Sequence, residues 1–378
     1  MQQMRLDIRE RMTNDMKVNV NSSTSNILRQ TGKIWSKYSY VFVFIIILIV
    51  YAITINANGY NFNFGHISSI LSSQNTVIVG TMAIGMALVI ITGQIDLSIG
   101  SALVLCTGTA IVTYNATEGN VLLMVLAALG SGIVCGLING LLVGMAKMPS
   151  FIVTLGTMLI YRSLTLSVVR EMSTTLTGSS SSQFALISNF SSYDFLRMKF
   201  GTGSMVLGSF KVPYISFLFL ILTVLFIFIM AKTKYGKSIY AVGSNEKAAR
   251  LTGINTDSVK ISVFAVTGLL VGVASIIQAC KIGNITPASS GTSYEMYAIA
   301  AVVLGGVSMS GGRGKILGVF FGTLSYTAIN FIIVSIPALS PDIQDMFQGI
   351  VLITVIFVQT VGGVLKNKIE ALRRRINQ

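Results

Sequence analysis

Few residues of this 378-residue chain have types and spacings that could carry chemistry. The first is Asp96, which lies between two apolar runs in the segment from Gly93 to Gly100. A carboxylate in apolar surroundings is costly unless it is satisfied, so it is a functional candidate by default. Asp96 and Ser98 also precede the next apolar run, where both residue types favour a helix N-terminus. We predict helix capping, with ligand or proton chemistry as the alternative.

Two other charged residues stand out within or beside apolar runs. Glu295 follows Tyr294 at the start of a run, where a carboxylate is again favoured. We expect it to cap that helix on the outer side, near a substrate entrance, with substrate contact as the alternative. Arg162 lies inside the run 151–169. Such a cation faces the bundle or extends to the interface, so snorkelling or ion pairing is expected ahead of substrate binding.

The polar segment 244–254 carries the signals of a short helix. Ser244 or Asn245 can be the N-cap and Glu246 lies in the first turn. Arg250 lies in the last turn, and Gly253 can take the left-handed conformation that ends a helix. A short helix alone in water is marginal. We therefore expect this one to be covered by a partner, or to lie on its own protein or on lipid headgroups.

Other chemistry is missing from the sequence. No GxxxxGK[ST], HExxH or GxSxG pattern occurs. Cys106, Cys135 and Cys280 lack ligand spacing and are predicted to be small apolar fillers, and His66 is predicted to be a surface or interfacial residue. The net charge of +14 arises mostly from Lys and Arg between apolar runs and at the two ends. We predict no catalytic residue, metal site or cofactor in this chain, and no nucleic-acid partner.

The elements that must position these residues are membrane-spanning helices. Apolar residues make up 52% of the chain and charged residues 11%, against about 25% charged in soluble domains. A spanning helix needs about 20 apolar residues, and the third and eighth of ten apolar runs are short. The sequence predicts an all-α integral membrane protein of about ten transmembrane helices, with broken or short helices near the substrate path. The runs are 40–57, 75–92, 101–115, 121–146, 151–169, 213–231, 261–280, 295–309, 316–336 and 345–362.

Basic clusters fix the expected orientation. Lys and Arg concentrate near the N-terminus, in 232–260 and at the C-terminus, and six and four spans between them place all three in the cytoplasm. The first run starts too late for a signal peptide. We predict a cytoplasmic arm 1–38, a transmembrane domain 39–365 and a basic cytoplasmic tail 366–378. Within the domain, 232–260 is a cytoplasmic loop and 171–212 the outer loop.

Glycines mark two further features. Four of them recur every fourth residue and so line one helix face that allows close helix approach: Gly132, Gly136, Gly140 and Gly144. Gly-rich breaks follow the second run, at Gly93 to Gly100, and the eighth, at Gly305 to Gly314. Transporters built from repeats place such breaks near the substrate path, so we assign Gly93, Gly305 and Gly306 to that path.

Four stretches together resemble one family. They are 93–101; 136–140 with 149–158; 234–245 with 248–250 and 253–254; and 294–306 with Gly311 and Gly312. The chain resembles, over about residues 75–365, the permease subunit of bacterial ABC importers for monosaccharides of the ribose and galactose type. The segment 244–254 matches the loop of that family that contacts the ATPase, so the resemblance implies that 232–260 is the cytoplasmic coupling loop.

The resemblance implies partners and site residues. It implies a second permease copy, identical or related, within membrane lipid of the bacterial inner membrane. It also implies separate ATPase subunits that bind ATP and magnesium, and an extracytoplasmic sugar-binding protein. The expected path and gate residues are Gly93, Asp96, Ser98, Asn139, Phe151, Thr154, Tyr294, Glu295, Gly305 and Gly306. The expected ATPase-coupling helix comprises Ser244, Asn245, Glu246, Ala248, Ala249, Arg250 and Gly253.

Three alternatives stay open at this point. Within the import class, the substrate is instead a nucleoside or a furanosyl signalling molecule. A secondary transporter coupled to an ion gradient would use Asp96 and Glu295 as its ion site. A membrane-embedded enzyme is the third, but the sequence offers no nucleophile–base or metal constellation for it.

Overall fold

A computed structural model describes residues 38–177, 183–207 and 210–336, together with isolated positions between 343 and 357. The predicted N-terminal arm, apart from Tyr38, lies outside the described residues. So do the basic tail 366–378 and most of the tenth apolar run. The predictions made for those segments therefore stay predictions.

Helices dominate the described part of the chain. The α-helices are α1 (Tyr38–Ala57), α2 (Phe64–Ser72), α3 (Gly80–Ile91), α4 (Ile99–Ala116), α5 (Val121–Gly144), α6 (Ser150–Leu164), α7 (Arg170–Thr177), α8 (Tyr214–Lys232), α9 (Lys234–Ser244), α10 (Glu246–Leu251), α11 (Thr256–Ile282), α12 (Tyr294–Leu304) and α13 (Ile316–Val334). Turns of π-helix cover Asn75–Val79, Thr165–Val169 and Phe195–Gly201. The strands are β1 (Phe184–Ala185), β2 (Ser204–Leu207), β3 (Phe210–Pro213) and β4 (Asn284–Ile285).

The predicted all-α membrane fold is confirmed, but the number of ten spans is not. In the described residues, seven helices are long and apolar enough to cross a membrane, or eight with a bent pair counted as one span. That pair is α2 and the helix Asn75–Ile91, which contains α3, and it is bent by 50°. The eighth apolar run forms α12, which has only eleven residues. A helix of that length spans about 16 Å, roughly half of the hydrocarbon layer.

Helix α3 lies at the centre of the bundle. All twelve of its residues are buried, and a helix that is apolar on every side is expected to be enclosed by others. The long helix α11 packs against α3, α4 and α5, while α12 and α13 pack together on another side of α3. The centre of the bundle is therefore an apolar core built from helices that are far apart in the sequence.

The glycine face predicted on α5 packs against α11. A Cβ atom built on Gly136 would lie 3.0 Å from the Cα atom of Ala265, and one on Gly140 would lie 2.9 Å from that of Ile261. The backbones of α5 and α11 therefore lie in close contact, which the small residues of α5 allow. The same face continues at Gly132 and Gly144.

The predicted outer loop 171–212 contains short elements of structure. Strand β1 pairs with β4 in an antiparallel register, with Phe184 opposite Ile285, and β2 pairs with β3 as a hairpin. The hydroxyl of Ser68 on α2 hydrogen-bonds to the carbonyl of Lys211. These contacts attach the segment to the same end of the bundle as α2, opposite to α9 and α10.

Candidate substrate path and coupling surface

The first Gly-rich break joins α3 to α4. The last turn of α3 ends at Thr92, and Gly93 has a φ of +77°, which a glycine adopts without strain. The amide of Gln94 donates to the carbonyl of Val89 at 3.0 Å, and the amide of Ile95 donates to Ser150 Oγ at 3.2 Å. The break is therefore an ordered segment fastened to the start of α6.

Asp96 lies in that segment with only 3% of its surface exposed. Its Oδ1 accepts hydrogen bonds from the amide of Ser98 at 2.9 Å and from Ser98 Oγ at 2.6 Å. Ser98 Oγ in turn accepts one from Asn139 Nδ2 at 2.8 Å. Asn139 Oδ1, also buried, has no partner within the described parts of the chain. Three path candidates, from two different segments, are thus brought together in one polar cluster.

The predicted helix cap is partly corrected by this geometry. Ser98 is the N-cap residue of α4, but its side chain makes no capping bond. Its hydroxyl donates to the carboxylate of Asp96, which instead binds the Ser98 amide at the beginning of the helix. The Asp96 carboxylate therefore closes the turn before α4, and the expected cap by the Ser98 side chain is wrong.

Two path candidates on α6 point in different directions. Thr154 is fully buried against the break, with its hydroxyl 3.5 Å from the carbonyl of Ile95. Phe151 is 52% exposed and lies on a face of α6 that other described elements leave uncovered. Ile152, Leu159 and Ile160 share that face.

Tyr294 and Glu295 begin α12, and both are partly buried. A Cβ atom on Gly100, in the first turn of α4, would lie 2.6 Å from Glu295 Oε2. The hydroxyl of Tyr294 accepts a bond of 3.4 Å from Gln74.

Arg162 holds the turn between α11 and α12. Its Nη1 donates to the carbonyl oxygens of Pro287 at 2.7 Å and Ser290 at 2.6 Å. No carboxylate lies within 4 Å of it in the described residues. Arg162 therefore forms hydrogen bonds to backbone carbonyls instead of the expected ion pair or snorkelling. No pattern of side chains in the sequence could have predicted these partners.

The two Gly-rich breaks meet each other at the end of the bundle that carries α9. The amide of Gly312 donates to the carbonyl of Ile91 at 2.8 Å. A Cβ atom on Gly311 would lie 3.1 Å from the Cα of Gly93 and 2.9 Å from the carbonyl oxygen of Gly243 in α9. Gly305 packs against Gly318 of α13, whereas Gly306, with a φ of +78°, has open space around it.

The predicted short helix is α10. The side chain of Asn245 accepts the amide of Ala248 at 3.0 Å as the N-cap, and Gly253 has a φ of +85° after the last turn. Ala249 is buried, and Ala248 is exposed. Ser244 ends α9 and lies against Gly312.

Ion pairs fasten α10 to α11. Lys260 Nζ binds Glu246 Oε2 at 2.8 Å, and this hydrogen bond is the main cause that lowers the pKa of Glu246 below its ordinary value. Arg250 Nη2 binds Asp257 Oδ1 at 2.7 Å and Thr256 Oγ1 at 2.6 Å. Because both polar ends of α10 are tied to the base of α11, a force on α10 reaches a spanning helix.

Sequence reasoning missed one residue of this surface, Leu251. It ends α10 with 90% of its surface exposed. Single exposed apolar residues are common on protein surfaces, but this one ends the helix that is expected to contact the ATPase. The sequence does show Leu251 as a single large apolar residue in an otherwise charged short helix. The surface formed by Asn245, Glu246, Lys247, Arg250 and Leu251 borders an open cavity of about 760 Å³.

The described residues contain no group of three or more His, Cys, Asp or Glu side chains that could hold a metal ion. Polar side chains instead lie in small clusters between helices, and the chemistry they offer is hydrogen bonding. A multi-pass helical bundle with one bent span and one short apolar helix defines an integral membrane protein.

The chain belongs to the family described as branched-chain amino acid transport system / permease component, whose model matches residues 67–356. It is thus a transport subunit and not an enzyme, as predicted, and a multi-pass protein of the bacterial inner membrane. The predicted resemblance is confirmed by its relatives.

Three relatives illustrate the range of the family. The chain is 38% identical over 257 residues to the ribose import permease protein of Escherichia coli K12, covering 68% of this chain and 74% of the relative. It is 31% identical over 300 residues to the galactose/methyl galactoside import permease of the same strain, covering 76% and 84%. It is 36% identical over 275 residues to an autoinducer 2 import permease of Yersinia enterocolitica, covering 73% and 70%. No solved structure matches the chain.

Proposed function

We propose that this chain is the permease subunit of an ATP-driven importer that moves a monosaccharide of the galactose or ribose type into the cytoplasm. Two of the relatives are named for import of such sugars. In this proposal, separate ATPase subunits bind ATP and magnesium, and an extracytoplasmic protein delivers the sugar. A second permease copy completes the path within the lipid.

One observation carries the proposal: helix α9, against which α10 packs, contacts both Gly-rich breaks. Gly243 in α9 contacts Gly311, and Gly311 contacts Gly93. The ion pairs of Glu246 and Arg250 fasten α10 to α11. An ATPase that moves α10 on the cytoplasmic face would thereby displace the inner ends of α3, α11 and α12 together. Such a connection is what a motor-driven permease needs and an ion-driven carrier does not.

The path follows the polar residues inside the bundle. Asp96, Ser98 and Asn139 form its inner cluster, and Tyr294 and Glu295 lie deeper, at the start of α12. Hydroxyl, amide and carboxylate groups suit the hydroxyls of a sugar. We propose that they contact it weakly, because a carrier must also release its load, and that specificity rests mainly with the delivering protein.

The docking part is tested by binding of the ATPase to variants of α10. We expect Leu251→Asp to abolish formation of the ATPase complex, measured with purified components in detergent, because a charge replaces the exposed apolar contact. Arg250→Glu should weaken it too, since it breaks the ties to Asp257 and Thr256. Lys199→Glu, an exposed charge reversal in the predicted outer loop 171–212, is the matched control. Wild-type affinity of Leu251→Asp would exclude this surface as the docking site.

A furanosyl signalling molecule is the second candidate substrate, because one relative is named for import of autoinducer 2. Competition of unlabelled ribose, galactose and autoinducer 2 against labelled sugar uptake separates the two. Inhibition by autoinducer 2 alone would replace the sugar with the signalling molecule.

A further inference from the structure

The segment between α11 and α12 is a compact turn that enters the bundle, and we name residues 286–293 the re-entrant turn. The amides of Ser289 and Ser290 donate to the carbonyl of Thr286 at 3.1 and 2.8 Å, and the amide of Thr286 donates to Ser290 Oγ at 3.0 Å. Irregular backbone at membrane depth persists only where the protein satisfies its polar groups. These local bonds leave the carbonyls of Pro287 and Ser290 to Arg162.

Arg162 supplies those bonds from the last turn of α6. It is the thirteenth residue of that helix, and so lies about 18 Å along it. One nitrogen, Nη1, binds both carbonyls at 2.7 and 2.6 Å. Hydrogen bonds from a charged donor are about twice as strong as neutral ones. The half-buried guanidinium is thus a strong tie between α6 and the re-entrant turn.

The far side of the turn packs on α4. Gly291 has a φ of +68°, and a Cβ atom there would lie 2.6 Å from the carbonyl oxygen of Gly100. Only glycine combines that conformation with such close packing. Glu295 lies against the same Gly100 and is the acidic group whose charge acts on Arg162, without an ion pair within 4 Å in the described residues.

Both ends of the turn are attached to one continuous stretch of chain. Helix α6 runs through a π-helical turn into α7, and strand β1 follows. Strand β1 pairs with β4, which immediately precedes the turn. Beyond the turn, α12 leads to Gly311 and to its contact with α9. Among the described residues, Arg162 is the only residue of α6 whose side chain hydrogen-bonds to the re-entrant turn.

We propose that Arg162 is a positioning residue that makes α6 and the start of α12 move as one unit, so that displacement at α9 reaches the path residues Tyr294 and Glu295. This rests on the proposed function for its role in transport, but the tie itself does not. Lysine cannot replace the guanidinium fully, because its ammonium group is a compact point charge on a flexible stem.

Two measurements on the whole chain test the proposal. Hydrogen–deuterium exchange of the purified permease reports the tie without substrate. We expect Arg162→Ala to speed exchange of the amides in 286–293 by at least about tenfold, because two charge-assisted bonds are lost, and Arg162→Lys to give an intermediate rate. Arg170→Ala, an exposed arginine further along the same stretch, should leave exchange unchanged. Equal exchange rates of these amides in all variants would show that Arg162 does not hold the re-entrant turn.

The second measurement is sugar transported per ATP hydrolysed in vesicles with the ATPase and binding protein. We expect Arg162→Ala to lower this ratio several-fold while the ATPase complex still forms, with partial rescue in Arg162→Lys. A ratio equal to that of Arg170→Ala would overturn the coupling role. Should the alanine variant not fold, Arg162→Lys decides both measurements. Absence of ATP-driven uptake in the wild type would instead refute the proposed function, and the exchange result would still decide the tie.

Discussion

Asp96 is a buried carboxylate satisfied by hydrogen bonds from Ser98 rather than by a cation within 4 Å in the described residues. Its type and its place between apolar runs were enough to single it out. The partners were not predictable to the same degree, because Asn139 reaches the cluster from a helix 41 residues away from Ser98. The partners of Arg162 were even less predictable, because they are backbone carbonyls, which every residue type has.

Substitution of Asp96 should reveal how much the polar cluster stabilises the bundle. Asp96→Ala removes an acceptor from two buried donors, so we expect a loss of about 1–3 kcal/mol in the free energy of unfolding. Asp96→Asn keeps one acceptor oxygen and should lose less. Unfolding by denaturant in detergent measures both, with the exposed Asp194→Ala as control. An Asp96→Ala protein as stable as that control would contradict the account of the cluster.

The pair of Glu246 and Lys260 makes a pH-dependent contribution. Its hydrogen bond lowers the pKa of Glu246 below the ordinary value of 4.5. A lowered folded pKa means that the stabilisation is present at neutral pH and is lost as pH falls below about 4.5. We expect the stability difference between wild type and Glu246→Gln to be constant from pH 6 to 8 and to shrink below pH 4.5, measured by thermal unfolding. A difference that grows in acid would refute the pairing.

At the scale of elements, hydropathy and charge predicted most helices well. The first nine apolar runs each coincide with helix in the described residues. What the runs could not show is how the segment before α12 is held. The eighth run became α12, of eleven residues, and the re-entrant turn before it is bound by Arg162 through backbone carbonyls. The meeting of the two Gly-rich breaks likewise depends on tertiary packing around α3.

The glycine face of α5 offers a matched pair of substitutions. Gly136→Val should prevent assembly of α5 with α11, because even a Cβ atom lies 3.0 Å from backbone carbon, and overpacking costs about 1–3 kcal/mol or more. Gly130→Val, on the same helix but with open space around it, should be tolerated. Yield of folded protein by size-exclusion chromatography in detergent measures the effect. Equal yields would contradict the close packing of these helices.

At the scale of the whole molecule, the proposed importer is a bundle in which surface and path are joined through the backbone. The class of protein could be predicted because ten apolar runs, basic clusters and four motif stretches agree. The mechanical connections could not, because they pass through contacts such as Gly243 with Gly311 and Arg162 with Ser290. The sugar itself also stays a proposal, since relatives named for different substrates match at similar identity.

Uptake into vesicles tests the central claim most directly. The permease is reconstituted with its ATPase chain, and labelled sugar is supplied with the binding protein on the outer side. The account predicts saturable uptake that requires ATP and the binding protein and persists when proton and sodium gradients are collapsed. Uptake that proceeds without ATP and follows an imposed proton or sodium gradient would contradict it and would assign Asp96 and Glu295 to an ion-coupled carrier instead.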